Sequence, residues 1–375
     1  MLIESLCLLA LTCQLDPLIY EYSVKVENTK IAFFGLGINE LYEFSQNEFV
    51  RVNENLYGNS PYSVAVDRPV VIGNKIFVPK IESNSIIEAI VDVLEITGNQ
   101  SNLIASFSLG TDPAYLKLDK LHDTTIAGCL VRGQNSINIF QIRHTGFGLL
   151  YSLFLPNILG TYEQAELHNI LVLDRFSSKE IYAIFYLHSP ERMVIYNFNT
   201  GWKHVEYNFE NRKDSVPSGY PLCHKSNFGT LTDWLYIQSH VAMNGEVTPS
   251  YIRHFAPGTS TPLIPWNWST AMNMYSFVGL GDQDFDGDTR NEYVMTGYGY
   301  LSEYLIVGQM PPFETYTQVF LLSREYRWVI DAVGGDFNQD GKPDLVLQYG
   351  LEYSVPRYKF LRGTKTLFHP SLSWN

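Results

Sequence analysis

The sequence predicts an all-β fold made of repeated four-stranded units, and three observations predict it. The first is composition. Of 375 residues, 14% are aromatic and only 17% charged, with 25 Tyr and 22 Phe, a balance that favours strands over helices. The second is a repeat. Apolar segments that follow a polar turn start at Ile31, Ile76, Ile126, Ile181, Trp234, Tyr293 and Leu345, separated by 45, 50, 55, 53, 59 and 52 residues. The third is punctuation, since turn residues fall about every 8–12 positions between alternating or apolar runs. Seven markers imply seven repeats, and each interval holds four short strands. The fold class is therefore a seven-bladed β-propeller of four-stranded antiparallel blades.

Taken in order, the chain opens on Leu6-Cys7-Leu8-Leu9-Ala10-Leu11-Thr12-Cys13. Residues 1–15 read as a signal peptide with this run as its apolar core. Glu4 stands where a basic residue is usual, and a buried first strand is the other reading of the same run. Residues 16–375 read as a single propeller, because no linker, low-complexity tract or long charge run marks a second domain. The run Ile86–Ile96 has a period compatible with a short helix as well as a strand. In the fourth repeat, Asn169–Leu173, Ile181–Leu187, Met193–Phe198 and His204–Asn208 are the four strands, with a turn at Ser189-Pro190-Glu191. In the sixth they are Tyr275–Leu280, Tyr293–Thr296, Tyr304–Val307 and Gln318–Leu322. The segment Phe360–Leu367 is expected beside the N-terminal strand around Tyr20–Val26.

Two acidic loops precede the last two markers. In Asp336-Phe337-Asn338-Gln339-Asp340-Gly341-Lys342-Pro343-Asp344, oxygen side chains fall on alternate residues, a Gly permits a sharp turn, and a carboxylate opens the next strand. The upstream copy, Asp284-Phe285-Asp286-Gly287-Asp288-Thr289-Arg290-Asn291-Glu292, lies 52 residues earlier in the same register. Hard cations such as Ca²⁺ take six to eight oxygen ligands, and short acidic loops supply them. An EF-hand is rejected. It needs a bidentate Glu at position twelve and flanking helices, whereas position twelve is Leu347 in one loop and Met295 in the other, both inside β-rich segments. Earlier repeats keep too few ligands: Asp174 and Glu180 around Ser177-Ser178 in the fourth, and Asp233 alone in the fifth.

These loops resemble the FG-GAP/VCBS repeat family, the integrin-α-like propeller repeats, whose blades carry an Asp-x-Asp-x-Asp-Gly-x-x-Asp loop between two strands. The upstream copy departs at Thr289, where the family has Gly, and at Glu292, where it has Asp. A register starting at Asp282 recovers Gly287 but places Arg290 at the final acidic position. The Asp284 register keeps the loop-to-strand distance and is preferred. The resemblance implies two structural Ca²⁺ sites. One would use Asp284, Asp286, Asp288, the Arg290 carbonyl and Glu292; the other Asp336, Asn338, Asp340, the Lys342 carbonyl and Asp344. Clustered carboxylates repel one another unless a cation sits among them.

Charge and motif content bound the function. A net charge of −13 gives no basic face for nucleic acid, and no later run approaches the ~20 apolar residues of a membrane span. If the leader is removed, Cys129 and Cys223 remain, and both a disulfide and two buried thiols stay open. Asn99-Gln100-Ser101 and Asn267-Trp268-Ser269 fit glycosylation acceptors. No Gly-x-Ser-x-Gly elbow, P-loop, His-Glu-x-x-His or Cys-x-x-Cys is present. His188, His240 and His254 read as structural or surface residues. Tyr298-Gly299-Tyr300 and Trp266-Asn267-Trp268 could stack on sugars or anchor a partner, but packing between blades is the favoured reading. The expected function is a secreted, calcium-stabilised, lectin-like binding or cell-adhesion module, taking a protein or carbohydrate ligand at an end face of the ring. The alternative is a polysaccharide-active enzyme, a lyase or hydrolase, on the same scaffold.

Overall fold

The computed structural model describes residues 10–11, 20–35, 39–46, 48–57, 65–83, 86–160, 162, 164–175, 178–188, 191–206, 222–227, 233–243, 246–255, 265–267, 273–279, 292–298, 303–309, 316–322, 328–341, 344–350 and 357–361. In chain order the elements begin with β1 (Ala10–Leu11), β2 (Tyr20–Glu27), β3 (Lys30–Gly35), β4 (Asn39–Ser45) and β5 (Glu48–Asn53). Next come β6 (Val70–Ile72), β7 (Lys75–Ser83), β8 (Ile87–Thr97) and β9 (Gln100–Thr111), then β10 (Pro113–Leu121), β11 (Thr124–Val131), β12 (Ser136–Arg143) and β13 (Gly146–Phe154). A five-residue helix, α1 (Leu155–Leu159), precedes β14 (Ala165–Arg175), β15 (Ser178–His188), β16 (Glu191–Asn197) and β17 (Lys203–Glu206). The later strands are β18 (Leu222–Asn227), β19 (Asp233–Met243), β20 (Glu246–Phe255), β21 (Pro265–Asn267), β22 (Asn273–Gly279), β23 (Glu292–Tyr298), β24 (Glu303–Gln309) and β25 (Tyr316–Leu322). The last three are β26 (Trp328–Gly335), β27 (Asp344–Gly350) and β28 (Arg357–Leu361).

Among the described residues these strands form seven four-stranded sheets. Six use four consecutive strands, from β2–β5 to β22–β25, and the remaining one has the order β1-β28-β27-β26. The architecture is all-β, built mostly of four-stranded antiparallel sheets, and is consistent with a β-propeller. Each marker segment falls in a different sheet: Ile31 in β3, Ile76 in β7, Ile126 in β11, Ile181 in β15, Trp234 in β19, Tyr293 in β23 and Leu345 in β27. These strands are inner members of their sheets. All six residues of β3 and all eight of β11 are buried, so the sequence there reads as a continuous apolar run rather than an alternation. The same burial explains Ile86–Ile96. Ala89–Leu94 are buried on both faces, which hides the period of two, and β8 pairs as a strand with both β7 and β9.

The chain divides into two compact units, Met1–Glu54 with Met274–Asn375, and Asn55–Asn273. Within the second, Ala127, Cys129, Phe140 and Ile142 of the β10–β13 sheet pack on Phe77, Ala89, Val91 and Val93 of the β6–β9 sheet. Its other face, with Ile126, Ile137 and Ile139, packs on Ile170, Val172, Ala183 and Phe185 of the β14–β17 sheet. Gly128 belongs to that second contact, since a Cβ there would lie 2.3 Å from Ile170 Cγ1. Carboxylates in or just before the first strands bond successive sheets. Asp119 Oδ2 accepts the Val172 N–H at 2.6 Å, and Asp67 accepts from the Leu118 N–H and from Lys117 Nζ. Helix α1 buries Leu155, Ile158 and Leu159. Its last carbonyls accept from Arg192 Nη2 at 2.9 Å and Lys203 Nζ at 3.1 Å, the cationic partners that a helix C-terminus favours.

Cys129 is a fully buried free thiol, which answers for this residue the pairing left open by the sequence; burial pushes its pKa up to about 12.

Within the first unit, Ile31, Phe33, Tyr42 and Phe49 of the β2–β5 sheet pack on Val333, Phe337 and Val346 of the last one. The chain termini meet differently from expectation. Leu361 pairs with Ala10 and Phe360 with Leu11, so the outer place beside β28 goes to β1, inside the segment read as a leader. Tyr20–Val26 instead lie in β2, the first strand of a separate sheet paired with β3.

Candidate functional site

The loop from Asp336 to Asp344 joins β26 to β27, and its ends are themselves a ladder pair, Gly335 opposite Asp344. A chain that leaves and re-enters a sheet at adjacent positions must fold tightly. Positive φ angles at Gln339 (57°) and Gly341 (77°) make the turn, and glycine adopts the second without steric cost. Side-chain oxygens replace the missing ladder partners. Asp336 takes the Asp340 N–H on Oδ1 at 3.0 Å and the Gly341 N–H on Oδ2 at 2.9 Å. Asp344 is fully buried, and its Oδ2 takes the N–H groups of Phe337 and Asn338 at 3.0 and 3.2 Å. The Asn338 Oδ1 accepts a further bond from the Asp340 N–H at 2.9 Å.

Two carboxylates converge on one point inside the loop. Asn338 Nδ2 donates to Asp340 Oδ2 at 3.2 Å and lies 3.5 Å from Asp344 Oδ1. The positive end of an amide dipole thus sits where the two acids approach. The surrounding network holds that orientation, since a half-turn would turn Nδ2 toward the Asp340 N–H that Oδ1 accepts. The two carboxylates are hard, anionic oxygen ligands of the kind that suits a hard divalent cation. Among the described residues, no three His, Cys, Asp or Glu side chains draw close enough to share an ion.

Lys25, on β2, completes the surroundings. Its side chain lies over Gly335, where an added Cβ would come within 2.9 Å of Nζ. The ammonium is 5.7 Å from the Phe337 ring centroid. Burial lowers its pKa, and the Asp336 carboxylate pulls in the opposite direction. Phe337 is itself fully buried and packs edge-on against Phe49, 5.5 Å between centroids. Nothing local in the sequence marks Lys25, because its contact joins the first complete sheet to the last.

Of the predicted ligands, Asp336, Asn338, Asp340 and Asp344 are brought together in this way. Lys342 and, in the upstream loop, Asp284, Asp286, Asp288 and Arg290 lie outside the described residues. Glu292 opens β23 opposite Gln309, as Asp344 opens β27, and Asp233 opens β19 opposite Asn227. In the fourth repeat Glu180 is occupied structurally, accepting from Tyr182 Oη at 2.6 Å and Asn197 Nδ2 at 2.8 Å. His188, His240 and His254 lie in β15, β19 and β20. Tyr298 ends β23 and Trp266 lies in β21, while Gly299, Tyr300 and Trp268 fall outside the described residues.

Comparison with known proteins gives the same repeat. Residues 284–347 match the family model of an FG-GAP-like repeat, a span that starts at the first acid of the upstream loop and runs through the downstream loop into β27. The chain thus carries an FG-GAP-like repeat, as its two loops imply. No curated protein matches the chain. Among solved structures it is similar to a chain of the mitotic checkpoint complex, with a TM-score of 0.52, 8% identity, and coverage of 93% of this chain and 88% of that one. It is also similar to the extracellular domain of a putative hybrid two-component system from B. thetaiotaomicron, with a TM-score of 0.50 and 10% identity. That match covers 94% of this chain and 39% of the other. At such identities the likeness is one of fold alone.

Proposed function

We propose that the chain is an extracellular β-propeller of seven blades, stabilised by calcium, that acts as a binding or adhesion module for a protein or glycan ligand at an end face of the ring. The observation that carries this reading is the FG-GAP-like repeat over residues 284–347, set in a chain of four-stranded sheets. The extracellular setting is supported by the similar bacterial extracellular domain. No helix among the described residues is long and apolar enough to cross a membrane.

The calcium sites we assign are Asp336, Asn338, Asp340, the Lys342 carbonyl and Asp344, with Asp284, Asp286, Asp288, the Arg290 carbonyl and Glu292 as their upstream counterpart. A bound Ca²⁺ would supply the charge that lets these carboxylates stay close. Asp344 and Asp336 hold the loop backbone through its own N–H groups, so the role is structural. Ligand contact is left to other loops of the same end face.

The test is a paired screen of the purified chain. It is applied to arrays of glycans and extracellular proteins, in calcium and in chelator, beside turnover assays on polysaccharides. Saturable binding without turnover is the expected result. Sustained cleavage of a polysaccharide would overturn the binding-module reading in favour of an enzyme.

A further inference from the structure

Lys25 brings a positive charge to the mouth of the Asp336–Asp344 loop. Its side chain lies across Gly335, the residue before the first acid. Nζ, Cδ and Cε stand 2.9, 3.0 and 3.1 Å from where a Cβ would be, so a side chain at 335 would push the end of the lysine aside. The ammonium is also 5.7 Å from the Phe337 ring centroid, within reach of a cation–π attraction. Gly335 and Phe337 flank Asp336 in the chain. Burial disfavours the charged form of Lys25, and the Asp336 carboxylate, close enough to act on it, favours that form.

The turn itself does not need this ammonium. Both Asp336 oxygens already accept loop N–H groups, from Asp340 and Gly341, and Asp344 Oδ2 accepts two more. Lys25 therefore acts on the loop chiefly through its field. It is half-buried, so salt and water screen that field less than they screen a surface lysine's. The acids that would face a metal, Asp340 and Asp344, meet at Asn338 Nδ2 in the same short loop. A protonated lysine has no lone pair to offer a cation, so Lys25 is not a ligand.

We propose that Lys25 sets the calcium affinity of this loop, holding it weak enough for the site to fill and empty as calcium changes. The inference rests on the calcium assignment proposed above for the same loop. Calcium sites tune their affinity by the charge of their ligands, and a neighbouring cation subtracts from that charge. A bound Ca²⁺ would add two positive charges beside a residue that already carries one, and like charges repel at close range. Without metal, the same ammonium offsets the mutual repulsion of Asp336, Asp340 and Asp344. Lys25 thus stabilises the empty loop and penalises the filled one.

The experiment is calorimetric titration of CaCl₂ into the full chain after stripping with chelator. An Asp288→Ala background silences the upstream loop, so that the downstream loop alone responds. Lys25→Met, which keeps the aliphatic stem and removes the charge, should bind about tenfold more tightly than the background. Lys25→Arg should keep the background Kd, and the gap between Met and Lys should narrow at high salt. Melting of the otherwise unaltered chain gives a second reading. Lys25→Met should melt below the parent in chelator, and saturating calcium should close that difference. A lysine that only packs would lower both melting temperatures equally, which would overturn the proposal. Clear binding by the background with equal or weaker binding by Lys25→Met would also overturn it, and would leave the calcium assignment in place. If the unaltered chain takes up no calcium at about ten times the millimolar limit of extracellular sites, the calcium assignment itself falls, and the role of Lys25 with it.

Discussion

The Phe337 backbone N–H donates to Asp344 Oδ2 over 3.0 Å, deep enough that both residues are fully buried. This bond closes the acidic loop from inside. The Phe337 ring anchors one end in the core shared with Phe49, and the Asp344 carboxylate draws the following backbone around itself.

Asp344 is therefore expected to matter to folding even without metal. Asp344→Ala would leave the N–H groups of Phe337 and Asn338 without their acceptor and lower stability by about 3 kcal/mol. Asp340 is exposed, and Asp340→Ala should cost far less in chelator. Urea unfolding of both variants in excess chelator separates them. Equal losses would contradict the distinction between a buried fastener and an exposed ligand.

Gly128 and Ile170 form a second testable pair. A Cβ at 128 would meet Ile170 Cγ1 at 2.3 Å and Cδ1 at 2.5 Å. Gly128→Ala should destabilise by about 1–3 kcal/mol through overpacking, and Ile170→Val, by removing Cδ1, should recover part of that loss in the double variant. Strict additivity of the two single changes would mean that the sheets do not press together there.

His168 gives a pH dependence. Burial, with Lys117 nearby, lowers its pKa to about 4 from 6.5. Between those values the unfolded chain binds more protons than the folded one, so stability rises with pH across the window. Its contribution is present above pH 6.5 and is lost as pH falls toward 4. Between pH 7.5 and 5 the loss should be on the order of 2 kcal/mol, and His168→Gln should flatten the profile. Urea midpoints at pH 7.5 and 5 measure it; the same pH slope in parent and variant would contradict it.

Much of this architecture could be read from local sequence. The starts at Ile31, Ile76, Ile126, Ile181, Trp234, Tyr293 and Leu345 mark seven inner strands, and in β3 and β11 burial on both faces demands a continuous apolar run. The acids at Asp336, Asp340 and Asp344 were legible because their spacing serves one short turn. What escaped was non-local. Lys25 reaches Gly335 and Phe337 from the opposite end of the chain, and Ala10–Leu11 pair with Leu361 and Phe360, contacts that no window of sequence contains. Ile86–Ile96 was ambiguous for a physical reason, since a strand covered on both faces loses its alternation.

Calcium dependence of folding tests the central claim most directly, by thermal melting in excess Ca²⁺ and in chelator. A site filled at 100 times its Kd stabilises the folded state by about 2.7 kcal/mol, so the parent should melt several degrees higher in Ca²⁺. Asp288→Ala and Asp340→Ala should each lose part of that shift. Arg290→Ala and Lys342→Ala should keep it, because those positions would contribute only backbone oxygen. A parent that melts at the same temperature in both solutions, and carries no metal when purified, would contradict the account.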